Sequence, residues 1–324
     1  MKLVSLAMPA LLSLWAILAL WMDVRDPGLR LLFLGLYGLC IGVSVWFLRN
    51  PFWEAGALVA GFAVVLSWWL SLEPTNMADW KGDVARLGWA EVHGNQVTVH
   101  NIRDFLYTTE DVYTPRWNTR TYDLSRLQAV DLFVTHWGVP LVAHGMLSFD
   151  FGEDRHLAIS IEVREKVGQD YSALRGFFRQ YELSYIPAEE RDIVRVRTTF
   201  RPHEEVYLYR TRLNSADARA LFLQYVGWMD QALAVPQWYN ALTRNCSTPI
   251  TNYLAERHIG GISRWDWRTV LNGHGEAMLF DLGDLAGGGP FDRLRRQAWI
   301  NPVARRVPPQ GDFSGLIRRG RLGF

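Results

Sequence analysis

Hydrophobic and polar positions divide the chain into two unlike parts. Near the N-terminus stand three uncharged runs, Leu3–Met22, Leu31–Leu48 and Ala55–Leu72. A bilayer core about 30 Å thick needs roughly 20 helical residues, so each run predicts a membrane-spanning helix. Short charged loops, Asp23–Arg30 and Arg49–Glu54, separate them. Trp15, Trp21, Trp46, Trp53, Trp68 and Trp69 gather towards the run ends, as interfacial aromatics do. Two further spans follow directly, which argues against a cleaved signal peptide for the first.

After Glu73 the pattern is that of a globular domain. Val97–Ile102 and Ala129–Phe133 predict short strands. Tyr107–Tyr122 lacks periodicity and reads as a surface loop. His144–Phe151 and Arg155–Arg164 alternate with period two on either side of Gly152–Asp154, a β-hairpin pattern. Leu147, Phe149, Phe151, Leu157, Ile159, Ile161 and Val163 share one face. His144, Met146, Ser148, Asp150, His156, Ala158, Ser160, Glu162 and Arg164 share the other. A three-residue turn gives an even register, which sets position 144 opposite position 162, with Cβ atoms ~5 Å apart. The same register sets His156 opposite Asp150, ~20 Å from His144 along the strand.

Asn214-Ser-Ala-Asp caps a helical pattern running to Val235. Thr248 as N-cap with Pro249 behind it predicts another helix to about Arg257, with Cys246 at its N-terminal end. Trp265, Trp267 and Asn272–Gly275 suggest an irregular wall, and Gly287–Gly289 a flexible loop. The expected organisation is a three-helix transmembrane anchor over residues 1–75, an α+β domain over 76–300, and a flexible basic tail over 301–324 with Arg318, Arg319 and Arg321.

Composition agrees with this division. The chain has 324 residues, 49% hydrophobic and 13% aromatic, which excludes disordered and collagen-like classes. Only Lys2, Asp23, Arg25, Asp26, Arg30, Arg49, Glu54 and Glu73 are charged in the first 75 residues. A net charge of +1 gives no basic footprint for nucleic acid. There is no Walker loop, GxGxxG, CxxC or HExxH, so no nucleotide, cofactor or metal is expected. His144 and Glu162 alone are too few ligands for a metal. The three spans carry no internal ionisable residue and read as an anchor rather than a transport path. With Lys2 at a cytoplasmic N-terminus, three spans place everything after Glu73 outside the cytoplasm.

There are two cysteines. Cys40 lies in the second apolar run. Cys246 is the only one in the globular part, which leaves it no disulfide partner and too few thiols for structural zinc. A lone thiol outside the cytoplasm is open to oxidation. It is either a buried inert side chain or a nucleophile. A helix N-terminus favours thiolate, and a histidine facing a carboxylate is the base and orienter that thiol nucleophiles use.

At these residues the chain resembles a family. Asp79-Trp, Tyr113-Thr-Pro-Arg-Trp, Arg120-Thr-Tyr-Asp-Leu, Ala143-His-Gly-Met-Leu-Ser-Phe-Asp-Phe-Gly, Ile159-Ser-Ile-Glu-Val-Arg, Phe178-Arg-Gln-Tyr-Glu-Leu, Glu190-Arg-Asp and Tyr239-Asn-Ala-Leu-Thr-Arg-Asn-Cys-Ser-Thr are similar to the bacterial Lnb N-terminal periplasmic domain, over about residues 79–258. That domain takes its name from a membrane-attached lipoprotein N-acyltransferase. The resemblance implies a periplasmic domain and cysteine acyl-transfer chemistry. The His…Asn-Cys order also resembles the permuted papain-like group that includes NlpC/P60-like and lecithin–retinol acyltransferase relatives. By this resemblance the fold is α+β, with an antiparallel sheet and a nucleophile-bearing helix, and Cys246 matches the nucleophile and His144 the base. Those relatives often carry a second histidine about twelve residues on, the spacing of His156. The turn at Gly152 lies too far along for His156 to return beside His144, so Glu162 is the preferred orienter.

The expected function is therefore that of a thiol enzyme anchored in the bacterial inner membrane by several spans and facing the periplasm. It would act as an acyltransferase or hydrolase on acyl-lipid or lipoprotein carbonyls at the bilayer surface. Asn245, Ser148, Ser160, Arg164 and His156 are candidate supporting or substrate-binding residues. Backbone amides of the helix after Cys246 are the expected oxyanion donors. The alternatives are a cell-wall peptidase or amidase on the same site, and a non-catalytic envelope scaffold or sensor.

Overall fold

A computed structural model describes residues 2–48, 50–153, 155–248, 250, 267–270 and 272–324. Arg49, Asp154, Pro249, the helix expected to run to Arg257, and Trp265 lie outside the described residues. The chain divides into two compact units.

The first unit comprises Met1–Thr75, Asp170–Glu182 and Trp238–Ala241. The three apolar runs fold as α1 (Lys2–Asp23), α2 (Pro27–Phe47) and α3 (Pro51–Ser71). Each is long and apolar enough to cross a membrane. The starts of α2 and α3 are set by a capping side chain followed by proline. Asp26 accepts from the Leu29 amide at 2.8 Å, and Asn50 from the Phe52 amide at 2.9 Å. Trp15 meets Phe62 and Trp69 edge-on, with centroids 5.6 and 5.2 Å away. A boundary at residue 75 misses the two later segments of this unit. Phe178 is buried against the helices, and Gln180 Nε2 donates to Asp23 Oδ1 at 2.6 Å. Trp238 Nε1 donates to the Leu72 carbonyl at 3.1 Å. These attachments use single aromatic and amide side chains, which leave no apolar run to read.

The second unit is built on a mixed sheet. Its strands are β1 (Trp89–His93), β2 (Gln96–Arg103), β3 (Leu106–Tyr107), β4 (Tyr113–Thr114), β5 (Trp117–Asp123), β6 (Ala129–His136), β7 (His144–Asp150), β8 (His156–Arg164), β9 (Glu182–Ala188) and β10 (Glu205–Arg210). The main sheet runs β1-β2-β9-β8-β7-β6-β10, with β5 added to β2 and β3-β4 forming a separate pair. The pairings with a defined register are antiparallel except β2 with β9. β5 replaces the surface loop expected over Tyr107–Tyr122. Only Tyr122 of its residues is buried, so its alternation is masked by Asn, Thr and Arg.

The centre of the sheet is buried on both faces. On one side α5 (Ser215–Ala234), capped by Asn214 as expected, packs Phe222 and Tyr225 onto Phe149, with centroids 5.0 and 5.9 Å apart. On the other side, Met146 and Ala158 meet Ile193 and Val194 of α4 (Glu190–Arg195). Further along the chain come α6 (Gly275–Asp281), α7 (Phe291–Ala298), α8 (Asn301–Ala304) and α9 (Phe313–Arg318). Residues from α8 and α9, including Ala304, Phe313 and Ile317, join the same core cluster. The segment 301–324 is thus not a flexible tail. Its arginines hide an apolar stripe, and Arg318 itself is buried. The polar face of the hairpin is covered, so its polar groups need internal partners.

Candidate active site

The β7–β8 register is the one expected from the alternation and the turn. Met146 pairs with Ser160 and Asp150 with His156. Extended by one step, the register brings His144 at the start of β7 to Glu162 near the end of β8. Their Nε2 and Oε1 atoms lie 3.2 Å apart, and His144 is buried. Ser160 bridges the two. Its Oγ donates to Glu162 Oε1 at 2.6 Å and lies 2.8 Å from His144 Nε2. Since the single hydroxyl proton goes to the carboxylate, His144 Nε2–H donates to Ser160 Oγ. The Cys246 thiol neighbours the same ring, and the two groups act on each other electrostatically.

Cys246 is 6% exposed and belongs to the same compact unit as the hairpin. The Gly145 amide favours its thiolate form. The turn is shaped by Asn245, whose Oδ1 accepts from the Ser247 and Thr248 amides at 2.9 and 3.1 Å. An Asx carboxamide reaches amides two and three residues on. The Thr248 hydroxyl instead accepts the Asn245 amide at 3.1 Å.

Electrostatics couples these groups. Burial alone would lower the His144 pKa, but the Glu162 carboxylate outweighs it, and the imidazole is raised to about 9. Burial would raise Glu162, yet His144 and Arg197 hold its carboxyl well below the usual range. Burial pushes the Cys246 thiol up. The His144 imidazole and the Gly145 amide prevail, so the thiol lies below its ordinary value. A protonated imidazole beside a thiolate is the state these directions favour.

Two members of the cluster carry no local sequence signal. Arg197 sits in a π-helical turn, Val196–Phe200, that continues α4. Its Nη2 donates to Glu162 Oε1 at 2.9 Å, and its Nη1 lies 3.2 Å from Glu204. Asn272 donates from Nδ2 towards Cys246 Sγ at 3.8 Å, and its Oδ1 accepts the Ala143 amide at 2.9 Å. An Asn-Gly pair marks a turn, but nothing in the sequence says that this turn meets residue 143.

The remaining expected residues lie elsewhere. Ser148 donates to Glu190 at 2.5 Å, within the buried core. His156 faces Asp150 at 3.6 Å, at the turn end of the hairpin. Arg164 donates to the Val84 and Ala85 carbonyls and to Asn76, and stacks 4.2 Å from Trp80. These three serve the packing of their own regions, not the thiol. A cavity of about 50 Å³ adjoins the cluster, lined by Ala143, Gly145, Ser247, Ile250 and Asn272 among others. A larger one, about 570 Å³, opens among Arg120, Arg155 and Arg191 and contains none of the clustered residues. Among the described residues no group of three His, Cys, Asp or Glu side chains is placed to hold a metal ion.

Residues 113–273 match the Lnb N-terminal periplasmic domain. This part of the chain belongs to that family. The Lnb domain runs from β4 past Asn272 and includes Cys246, His144, Ser160, Glu162 and Arg197. No curated protein and no solved structure matches the chain significantly. A domain of a periplasmic family, together with three helices of membrane-spanning length, describes a membrane-anchored protein with a periplasmic domain.

Proposed function

We propose that the protein is a thiol enzyme of the cell envelope, held in the inner membrane by α1–α3, whose Lnb domain transfers or hydrolyses acyl groups in the periplasm. The observation that carries this reading is the buried cluster of Cys246, His144, Ser160, Glu162 and Arg197. A base is hydrogen-bonded through a serine to a carboxylate orienter, with the nucleophile beside it in a buried setting. A permuted papain-like arrangement, with the histidine strand before the cysteine in sequence, accommodates the same roles.

In this reading the Cys246 thiolate adds to an ester, thioester or amide carbonyl, and the C–S bond forms as the C=O pair moves to oxygen. Collapse breaks the bond to the leaving group, which takes a proton from His144. Water or an amine then attacks the thioester, returns its proton to His144 and releases the thiolate. Glu162 holds the ring through Ser160 and stabilises the imidazolium. The membrane anchor and the family's association with lipoprotein acylation support acyl-lipid or lipoprotein carbonyls as the substrate class.

The test is capture of the covalent intermediate. The full chain in detergent is mixed with diacyl lipids bearing a labelled acyl chain, quenched in acid and mapped by mass spectrometry. The reading expects a hydroxylamine-labile acyl group on Cys246, absent in Cys246→Ala. Labelling that persists in Cys246→Ala contradicts it, and labelling by cell-wall peptides instead would shift the substrate to the peptidase alternative. A reporter active only in the periplasm, fused after Phe324, should be active, and a cytoplasmic signal would overturn the topology.

A further inference from the structure

Acyl transfer through a thiol needs a donor for the charge that develops on the carbonyl oxygen. The turn after Cys246 does not offer its amides freely, because Asn245 Oδ1 already takes the Ser247 and Thr248 N–H groups. We infer that Asn272 is the oxyanion donor of this site, acting through its side-chain Nδ2–H. The inference rests on the thiol-enzyme reading and deepens it.

Asn272 is held as such a donor should be. Its Oδ1 accepts the amide of Ala143, the residue before the base, at 2.9 Å. The next residue locks the turn in place: Gly273 N donates to the Leu141 carbonyl at 3.2 Å. A Cβ at position 273 would lie 2.3 Å from the Pro140 carbonyl oxygen, so only glycine allows this close approach. The Asn272 carboxamide is thereby fixed relative to His144, with Nδ2 turned to the sulfur. Its two contacts there are long, 3.8 Å to Cys246 Sγ and 3.5 Å to Ser247 Oγ. Both N–H groups can shorten onto a stronger acceptor, and an oxygen on a carbon bonded to Sγ comes within their reach. When the thiolate adds to a carbonyl, the pair displaced onto oxygen is met by Nδ2–H. When the C=O bond re-forms and the leaving group departs, that contact relaxes.

Two reactions of the same thiolate separate this role from simple positioning. Iodoacetamide alkylates sulfur by displacement at carbon and develops no oxyanion. p-Nitrophenyl acetate acylates it through one. The ratio of the two rates cancels any change in thiolate population or access. Asn272→Asp keeps the acceptor for Ala143 and removes the donor, and Asn272→Ala removes both. Measured on the full chain in detergent, the acylation-to-alkylation ratio should fall about 10²–10³-fold in both variants, the loss typical of one oxyanion donor. A ratio unchanged within about threefold overturns the inference while leaving the thiol-enzyme reading intact. Wild-type protein that alkylates at Cys246 but releases no nitrophenolate overturns both.

Discussion

The β7–β8 hairpin carries a buried histidine facing a carboxylate at each end, and the two ends differ in everything else. At the open end His144 Nε2 lies 3.2 Å from Glu162, joined through Ser160. At the turn end His156 Nε2 lies 3.6 Å from Asp150, beyond hydrogen-bond reach. Both imidazoles are raised in pKa despite burial, His144 chiefly by Glu162 and His156 by Glu190. The neighbours decide what each can do. His144 meets a thiol and the Asn272 carboxamide beside it. His156 sits in a network of Asp131, Asp150 and Glu190 held by Arg210 and Arg318, with the Arg318 guanidinium 2.6 Å from Glu190 and 2.9 Å from Asp131. Three carboxylates against two guanidinium groups leave one negative charge over, and this excess raises the His156 pKa. A histidine–carboxylate pair across two strands is thus as much a way to balance buried charge as a piece of chemistry. The thiol and the hydrogen-bonded bridge distinguish the candidate site.

The largest effect expected from this comparison is on stability at the turn end. Arg318→Ala leaves Glu190 buried without its guanidinium partner and Asp131 with Arg210 alone, and should destabilise the domain by about 3–5 kcal/mol in denaturant unfolding. The pH dependence has a defined sign. Burial would raise Glu190, but Arg318 holds it at about 2. A depressed carboxyl stabilises the fold above its ordinary value of about 4.5, and this is lost as pH falls towards 2, on the order of 3 kcal/mol. Unfolding midpoints that do not drop between pH 4.5 and 2, or drop equally in Arg318→Ala, would remove the network from the account.

The next effect is at the open end. Glu162→Gln keeps the shape but removes the charge that holds His144 protonated. The His144 titration, followed by NMR, should move down by about 1–3 units from about 9. An unmoved titration would show that Glu162 is not the orienter. The smallest effect is predicted for His156→Gln, which should change iodoacetamide labelling of Cys246 by less than about twofold. A large fall would restore His156 as the third residue of the site.

How much of this is legible in the sequence depends on how local the cause is. The apolar runs, the α5 cap and the hairpin register follow from periodicity and turn residues, which is why 144 and 162 can be paired from the alternation and the turn alone. β5 is hidden because only Tyr122 of its residues turns inward. Arg197, Asn272 and Arg318 act 26 to 187 residues away from their partners Glu162, Cys246 and Asp131. No spacing rule reaches that far. The C-terminal segment reads as a tail because its arginines mask Phe313 and Ile317.

The central claim is that His144 keeps Cys246 as a thiolate near neutral pH, and one measurement bears on it directly. The full chain in detergent is alkylated with iodoacetamide from pH 5 to 10, and Cys246 is followed by mass spectrometry in wild type and His144→Ala. An ordinary thiol of pKa about 8.5 reacts at pH 6 roughly 300-fold below its plateau. The account predicts wild-type labelling at pH 6 within about tenfold of the plateau, and its loss in His144→Ala. Labelling that rises only above pH 8.5 and is indifferent to His144→Ala would contradict it.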